Sequence, residues 1–151
     1  MIYRVLNRGA TLWRPWINEI RVYTDPDCTL ETNATFVDMS GYLNTIQYGD
    51  GAATVAFDNS EDTVWRPQCH SCDIEEAWVS FSVSEEIKCV QALDWDDYAK
   101  IGGIKVEIQN SDNTWTTMME SSHENIVYEI LSLEGKSVYL IHLTCHSRIT
   151  H

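Results

Sequence analysis

The chain has 151 residues, 44% of them apolar, with six Trp and seven Tyr, which fits one globular domain with a substantial core. Asp plus Glu number 23 against 10 Lys plus Arg, a formal net charge of −13 that disfavours nucleic acid and anionic membrane surfaces and suits divalent cations or neutral ligands. No apolar run approaches the roughly 20 residues of a membrane-spanning helix, so no membrane insertion is expected, and Met1 to Trp16, with Arg4, Arg8 and Arg14, does not read as a signal peptide.

Short runs of apolar alternation recur along the chain, and helical periodicity hardly appears. Ile2 to Leu6 and Asn18 to Tyr23 read as strands, followed by Ala77 to Val83, Ile87 to Leu93, Ile104 to Ile108, Trp115 to Met119, Ile126 to Leu131 and Ser137 to Thr144. Turn-forming residues punctuate the joins: Asp25-Pro26-Asp27, Gly49-Asp50-Gly51, Gly102-Gly103, Ser111-Asp112-Asn113 and Glu134-Gly135. Ser121 to Asn125 is the one stretch that reads as a helical turn. Val138 to Leu143 is apolar on both faces, which predicts a central strand between two layers, with His142 a core or rim residue rather than a ligand. With no repeat, linker or low-complexity segment, residues 1–151 read as a single all-β domain, an antiparallel β-sandwich or barrel.

Five cysteines (Cys28, Cys69, Cys72, Cys89 and Cys145) accompany few basic residues that could activate thiolates, and Asn33-Ala34-Thr35 is an N-glycosylation sequon with Asn33 as acceptor. Together they predict an extracellular or cell-surface setting, two disulfides and one cysteine left over. Cys89, on a strand, is expected to face Cys69 or Cys72, with Cys28 taking the other or pairing with Cys145. Cys69-x-x-Cys72 with His70 also has thiolate-zinc spacing, but a tetrahedral site needs two more ligands, which Cys145-His146 could supply only if folding brought them close, and disulfides are the better reading. A redox-active Cys69–Cys72 pair lacks the βαβ surroundings of such motifs.

Acids, a hydroxyl and a tryptophan crowd the segment Ala56-Phe57-Asp58-Asn59-Ser60-Glu61-Asp62-Thr63-Val64-Trp65, and the strand Glu76-Ala77-Trp78-Val79 follows. Upstream lies Trp16-Ile17-Asn18-Glu19-Ile20-Arg21-Val22-Tyr23, and downstream Val106-Glu107-Ile108-Gln109-Asn110-Ser111-Asp112-Asn113-Thr114-Trp115-Thr116. In this order the three segments resemble the discoidin-like (coagulation-factor type C) modules of the galactose-binding-domain-like superfamily, over about Ile2 to Trp115 with a weaker match to Cys145. Asn59 stands where such modules carry Gly, and Asn tolerates the left-handed angles of that turn. Ser60 stands where some relatives carry an acid, and the Cys69-His70-Ser71-Cys72 insertion departs from the general pattern.

The resemblance implies a jelly-roll sandwich and non-catalytic recognition of a glycan or an extracellular protein partner. It also implies a structural calcium where Asp58 meets Glu19, with Thr63 as an oxygen ligand and Asp62 compensating for the acid missing at Ser60. The competing reading is that Asp58 caps its own turn and Asp62 is solvated.

For ligand contacts, Asp94-Trp95-Asp96-Asp97-Tyr98 offers exposed aromatics beside acids, which match the apolar patches and hydroxyls of a sugar. Trp95, Asp97 and Tyr98 lead, with His70 beside them and Arg66 and Trp13 behind; Trp78 and Trp115 are expected in the core, and Trp65 behind the loop. No nucleophile elbow, phosphate-cradling Gly loop or His-Glu-x-x-His pair is present, so the chain does not read as an enzyme. The rival reading is a structural building block of an extracellular assembly or larger cell-surface protein, with the unpaired cysteine joining chains. A third is an intracellular jelly-roll scaffold with its cysteines reduced.

Overall fold

The computed structural model describes residues 1–8, 17–42, 50–51, 53–60, 62–94, 103–120 and 138–142. Its strands are β1 (Ile2–Asn7), β2 (Ile17–Tyr23), β3 (Glu31–Thr32), β4 (Thr35–Met39), β5 (Asp50–Gly51), β6 (Val64–Trp65), β7 (Trp78–Ser82), β8 (Cys89–Asp94), β9 (Ile104–Gln109), β10 (Trp115–Glu120) and β11 (Val138–His142). One sheet runs β10–β9–β1–β7–β4; the other runs β11–β8–β2–β6–β5, with β3 also on β2. The pairings are antiparallel except that of β5 with β6. The described residues form an all-β antiparallel sandwich.

Alternation and register together build the core. In β1, Tyr3 and Val5 are buried while Arg4 points the other way. Val5 lies opposite Val79 on one side and Val106 on the other, a continuous apolar row across the first sheet. In the second sheet Ile20 faces Ala92 and Val22 faces Val90, and these rows join one buried cluster with the first. Phe81 lies at the centre, its ring 6.0 Å from Tyr3 and 5.4 Å from Phe57; burying such a side chain contributes about 2–3 kcal/mol. A 3₁₀ turn at Ala53–Phe57 adds Ala53 and Ala56 to the cluster.

The outer face of the first sheet is polar and tightly paired. Arg4 Nε donates to Glu107 Oε2 at 2.6 Å, and Lys105 Nζ lies 2.8 Å from both Glu107 Oε1 and Glu75 Oε1. The Arg4 guanidinium sits 4.3 Å from the centre of the Trp115 ring. Trp115 and Trp78, expected in the core, are half-buried instead, because each stands one position out of phase with the inward-facing residues of its strand. Trp65 is buried as expected, and its Nε1–H donates to the Gly41 carbonyl at 3.2 Å.

Other differences have local causes. β11 is the end strand among those described, not a central one, because it pairs with the one side of β8 that β2 leaves open. Ile126 to Leu131 and Ser121 to Asn125 lie outside the described residues. Among the described residues two disulfides are present, but Cys89 bonds to Cys28 and the loop cysteines Cys69 and Cys72 bond to each other. Register explains this: Tyr23 faces Cys89 across β2 and β8, so the turn leaving β2 delivers Cys28 to Cys89. Loop-closure entropy gives about 4 kcal/mol for the bridge spanning 61 residues and about 2 kcal/mol for the one spanning three. Among the described residues, no helix is long and apolar enough to cross a membrane.

Candidate functional site

The site begins with one surplus residue. Between Ile17 and Glu19 the register of β2 against β8 shifts, so Asn18 bulges out of the ladder. The bulge keeps Ile17 in the core cluster together with Ile20 and Val22, and puts Glu19 and Arg21 on the other face. Asn18 Nδ2 reaches across to donate to the Thr63 carbonyl at 3.1 Å, which ties the strand to the loop 58–63.

That loop is held by its own polar groups. Asp58 accepts from the Ser60 backbone N–H at 2.9 Å and from the Thr63 hydroxyl at 2.8 Å. Ser60 Oγ accepts from the Asp62 backbone N–H at 3.2 Å. Asn59 adopts φ 59°, the left-handed turn conformation, and its backbone N–H donates to the Glu19 carboxyl.

Glu19 is the unusual group. It is only 2% exposed, and its Oε2 has no hydrogen-bond partner among the described residues. Burial pushes its pKa up from 4.5 to about 8; the negative charge of Asp58 adds to this, and Arg21 opposes it. Glu31 also raises it; β3 brings this residue in by pairing along β2. At neutral pH the group is therefore largely protonated. A cavity of ≈ 30 Å³ lies against it, lined in part by Arg21, Glu31, Asn33 and Asn59. A water-sized occupant needs roughly 10–15 Å³, so there is room for one water or ion.

A calcium ion fits part of this arrangement. The orphaned Glu19 oxygen, the adjoining space and the negative field of Asp58 and Glu31 suit a hard cation. The Thr63 hydroxyl is directed at Asp58, and Asp62 is exposed, with its backbone N–H turned to Ser60. Glu31 was not legible as a participant, because its approach depends on the pairing of β3 with β2.

The remaining candidates are scattered. His70 is exposed on the disulfide-closed loop, whereas Arg66 is buried, and Asn33 is exposed at the edge of the Glu19 cavity. Trp95, Asp97, Tyr98, Trp13 and Cys145 lie outside the described residues. Glu76, which no sequence pattern singled out, has a carboxylate oxygen within 4.8 Å of the Cys69 and Cys72 sulfurs. Compared with protein-family models, curated proteins and solved structures, the chain matches none of them.

Proposed function

We propose that this chain is a non-catalytic extracellular recognition module of the discoidin-like, jelly-roll type, which meets a glycan or cell-surface partner through the loops at the rim of its sandwich. One observation carries the reading: a buried glutamate with an unbonded oxygen faces a cavity of ion size beside an acidic loop. Buried carboxyls are normally hydrogen-bonded or paired, so one left open beside further acids calls for a cation. Glu19 and Asp58 would hold a calcium ion there. The ion would fix the loop 58–63 and neutralise the acids, so that the rim is ordered before a partner arrives. The two disulfides and the acceptor Asn33 suit an oxidising exterior.

In this reading Trp95, Asp97 and Tyr98 supply the contact surface, an aromatic face flanked by acids. The test is a glycan array probed with the whole chain and with Trp95→Ala, each in calcium and in chelator. Binding by the parent that Trp95→Ala abolishes, with an unchanged circular-dichroism spectrum, is the expected result. Equal binding by both removes those residues from the contact. Absent glycan binding together with self-association in sedimentation would favour the structural building block, for which β4, an end strand among those described with Val37 44% exposed, supplies an open edge.

A further inference from the structure

The segment from Cys69 to Ala77 is built more firmly than a surface connection requires. Asn7, at the end of β1 and 2% exposed, holds it: its side-chain amide donates to the Asp73 carbonyl at 2.8 Å and accepts from the Ala77 N–H at 2.8 Å. The Asn7 carbonyl accepts from the Glu75 N–H at 2.8 Å, and Glu75, at φ 64°, is paired with Lys105. On the other flank, Gln68 packs against Gly41, where an added Cβ would come within 2.9 Å of the Gln68 side-chain oxygen. None of these contacts involves the sulfurs, so the frame on either side of the bridge, which links residues only three apart, is held by other groups.

Within this frame Cys69 Sγ, Cys72 Sγ and a carboxylate oxygen of Glu76 all lie within 4.8 Å of one another. The Asp73 N–H donates to Glu76 Oε2 at 2.6 Å, which orients the carboxylate as an outer partner orients a metal ligand. Cys69 and Glu76 also line a cavity of ≈ 180 Å³ together with Ser40 and Gln68, a route for an ion and space for a water.

We infer that opening the Cys69–Cys72 bridge turns this loop into a binding site for a zinc-like divalent cation, with the two thiolates and Glu76 as ligands and a water in the fourth position. A dithiol supplies the two electrons and two protons: the S–S bond breaks, two thiols form, and the reductant leaves as its own disulfide. The cation then displaces both thiol protons to water. Tetrahedral Zn–S bonds of about 2.3 Å set the sulfurs about 3.8 Å apart. That separation suits cysteines whose Cα atoms are 5.1 Å apart, so side-chain rotation suffices. The oxidised chain offers no thiolates here and carries a bridge. The site thus exchanges a covalent staple for a metal clip according to its redox surroundings, independently of the recognition reading.

The test uses the full chain reduced with a phosphine, desalted under inert gas and titrated with Co²⁺. Sulfur-to-cobalt charge transfer and tetrahedral d–d bands at one equivalent, bleached by Zn²⁺, are expected from the reduced chain and from Cys28→Ser/Cys89→Ser. The oxidised chain and Cys69→Ser/Cys72→Ser should lack them, and Glu76→Gln should weaken affinity about tenfold or more. Alkylation mapped by mass spectrometry gives a second readout: Zn²⁺ should protect Cys69 and Cys72 in the parent. Bands that survive Cys69→Ser/Cys72→Ser, an affinity indifferent to Glu76→Gln, or unprotected Cys69 and Cys72 would overturn the assignment.

Discussion

Glu19 and Glu107 are the same residue type, 2% and 4% exposed, on strands of opposite sheets, and they behave in opposite ways. Burial would raise both carboxyls, but at Glu107 hydrogen bonds from Lys105 and Arg4 outweigh it and hold the group below its ordinary value. At Glu19 burial wins, because the neighbouring charges of Asp58 and Glu31 reinforce it and outweigh the opposing Arg21 charge and Asn59 N–H bond. Burying a carboxyl is costly in either place; the partners decide whether it becomes a scaffold element or an open demand for a proton or cation. Glu107 is finished within the fold, and Glu19 is not.

The largest effect should come from breaking the completed partner. Glu107→Ala leaves the half-buried Arg4 and Lys105 without their shared carboxylate, and should cost about 3 kcal/mol in urea unfolding at pH 7. A loss below about 1 kcal/mol would mean that solvent screens the network.

Next comes the pH response of Glu19 in chelator. The folded chain keeps a proton up to about 8, whereas the unfolded chain releases it near 4.5, so stability from this group is complete below 4.5 and lost as pH rises to 8. The loss between pH 5 and pH 8 should reach about 3 kcal/mol, and Glu19→Gln should abolish it. Glu107, Asp25 and Asp112, with lowered values, contribute stability that is lost on acidification below that window, so they do not mask it. A parent whose unfolding free energy is flat from pH 5 to pH 8 would remove the contrast between the two glutamates.

The smallest effect is conditional. Asp58→Ala removes the bonds from Ser60 and Thr63 but also relieves Glu19, so its cost in chelator should be about 1 kcal/mol. With calcium at about 30 times its Kd the loss should grow by about 2 kcal/mol. Equal losses in both buffers, measured by thermal melting, would count against the ion.

Strands with a clear inner face were legible from residue order alone: Tyr3 and Val5 alternate with Arg4, as Ile104 and Val106 do with Lys105. β4 was missed because it carries few inward apolar residues and its register slips between Phe36 and Asp38, which erases the period. β3, β5 and β6, two residues each, are too short to display one. The same split runs through the site. Glu19 and Asp58 were reached through the resemblance of their segments to discoidin-like modules, whereas Glu31, the Cys28–Cys89 pairing and the approach of Glu76 to the cysteines depend on how distant strands meet. Such meetings leave no trace within a single segment.

The surplus residue of β2 separates two duties. Without Asn18, Ile17, Glu19 and Ile20 would still alternate inside, outside and inside, as an uninterrupted ladder with β8 demands. The alternation of the ladder therefore does not require Asn18, and its amide serves the Thr63 carbonyl. Deleting Asn18 would cut the mooring between platform and rim while keeping the inside–outside order of β2, so the loop's anchorage and the ladder's alternation rest on separate groups.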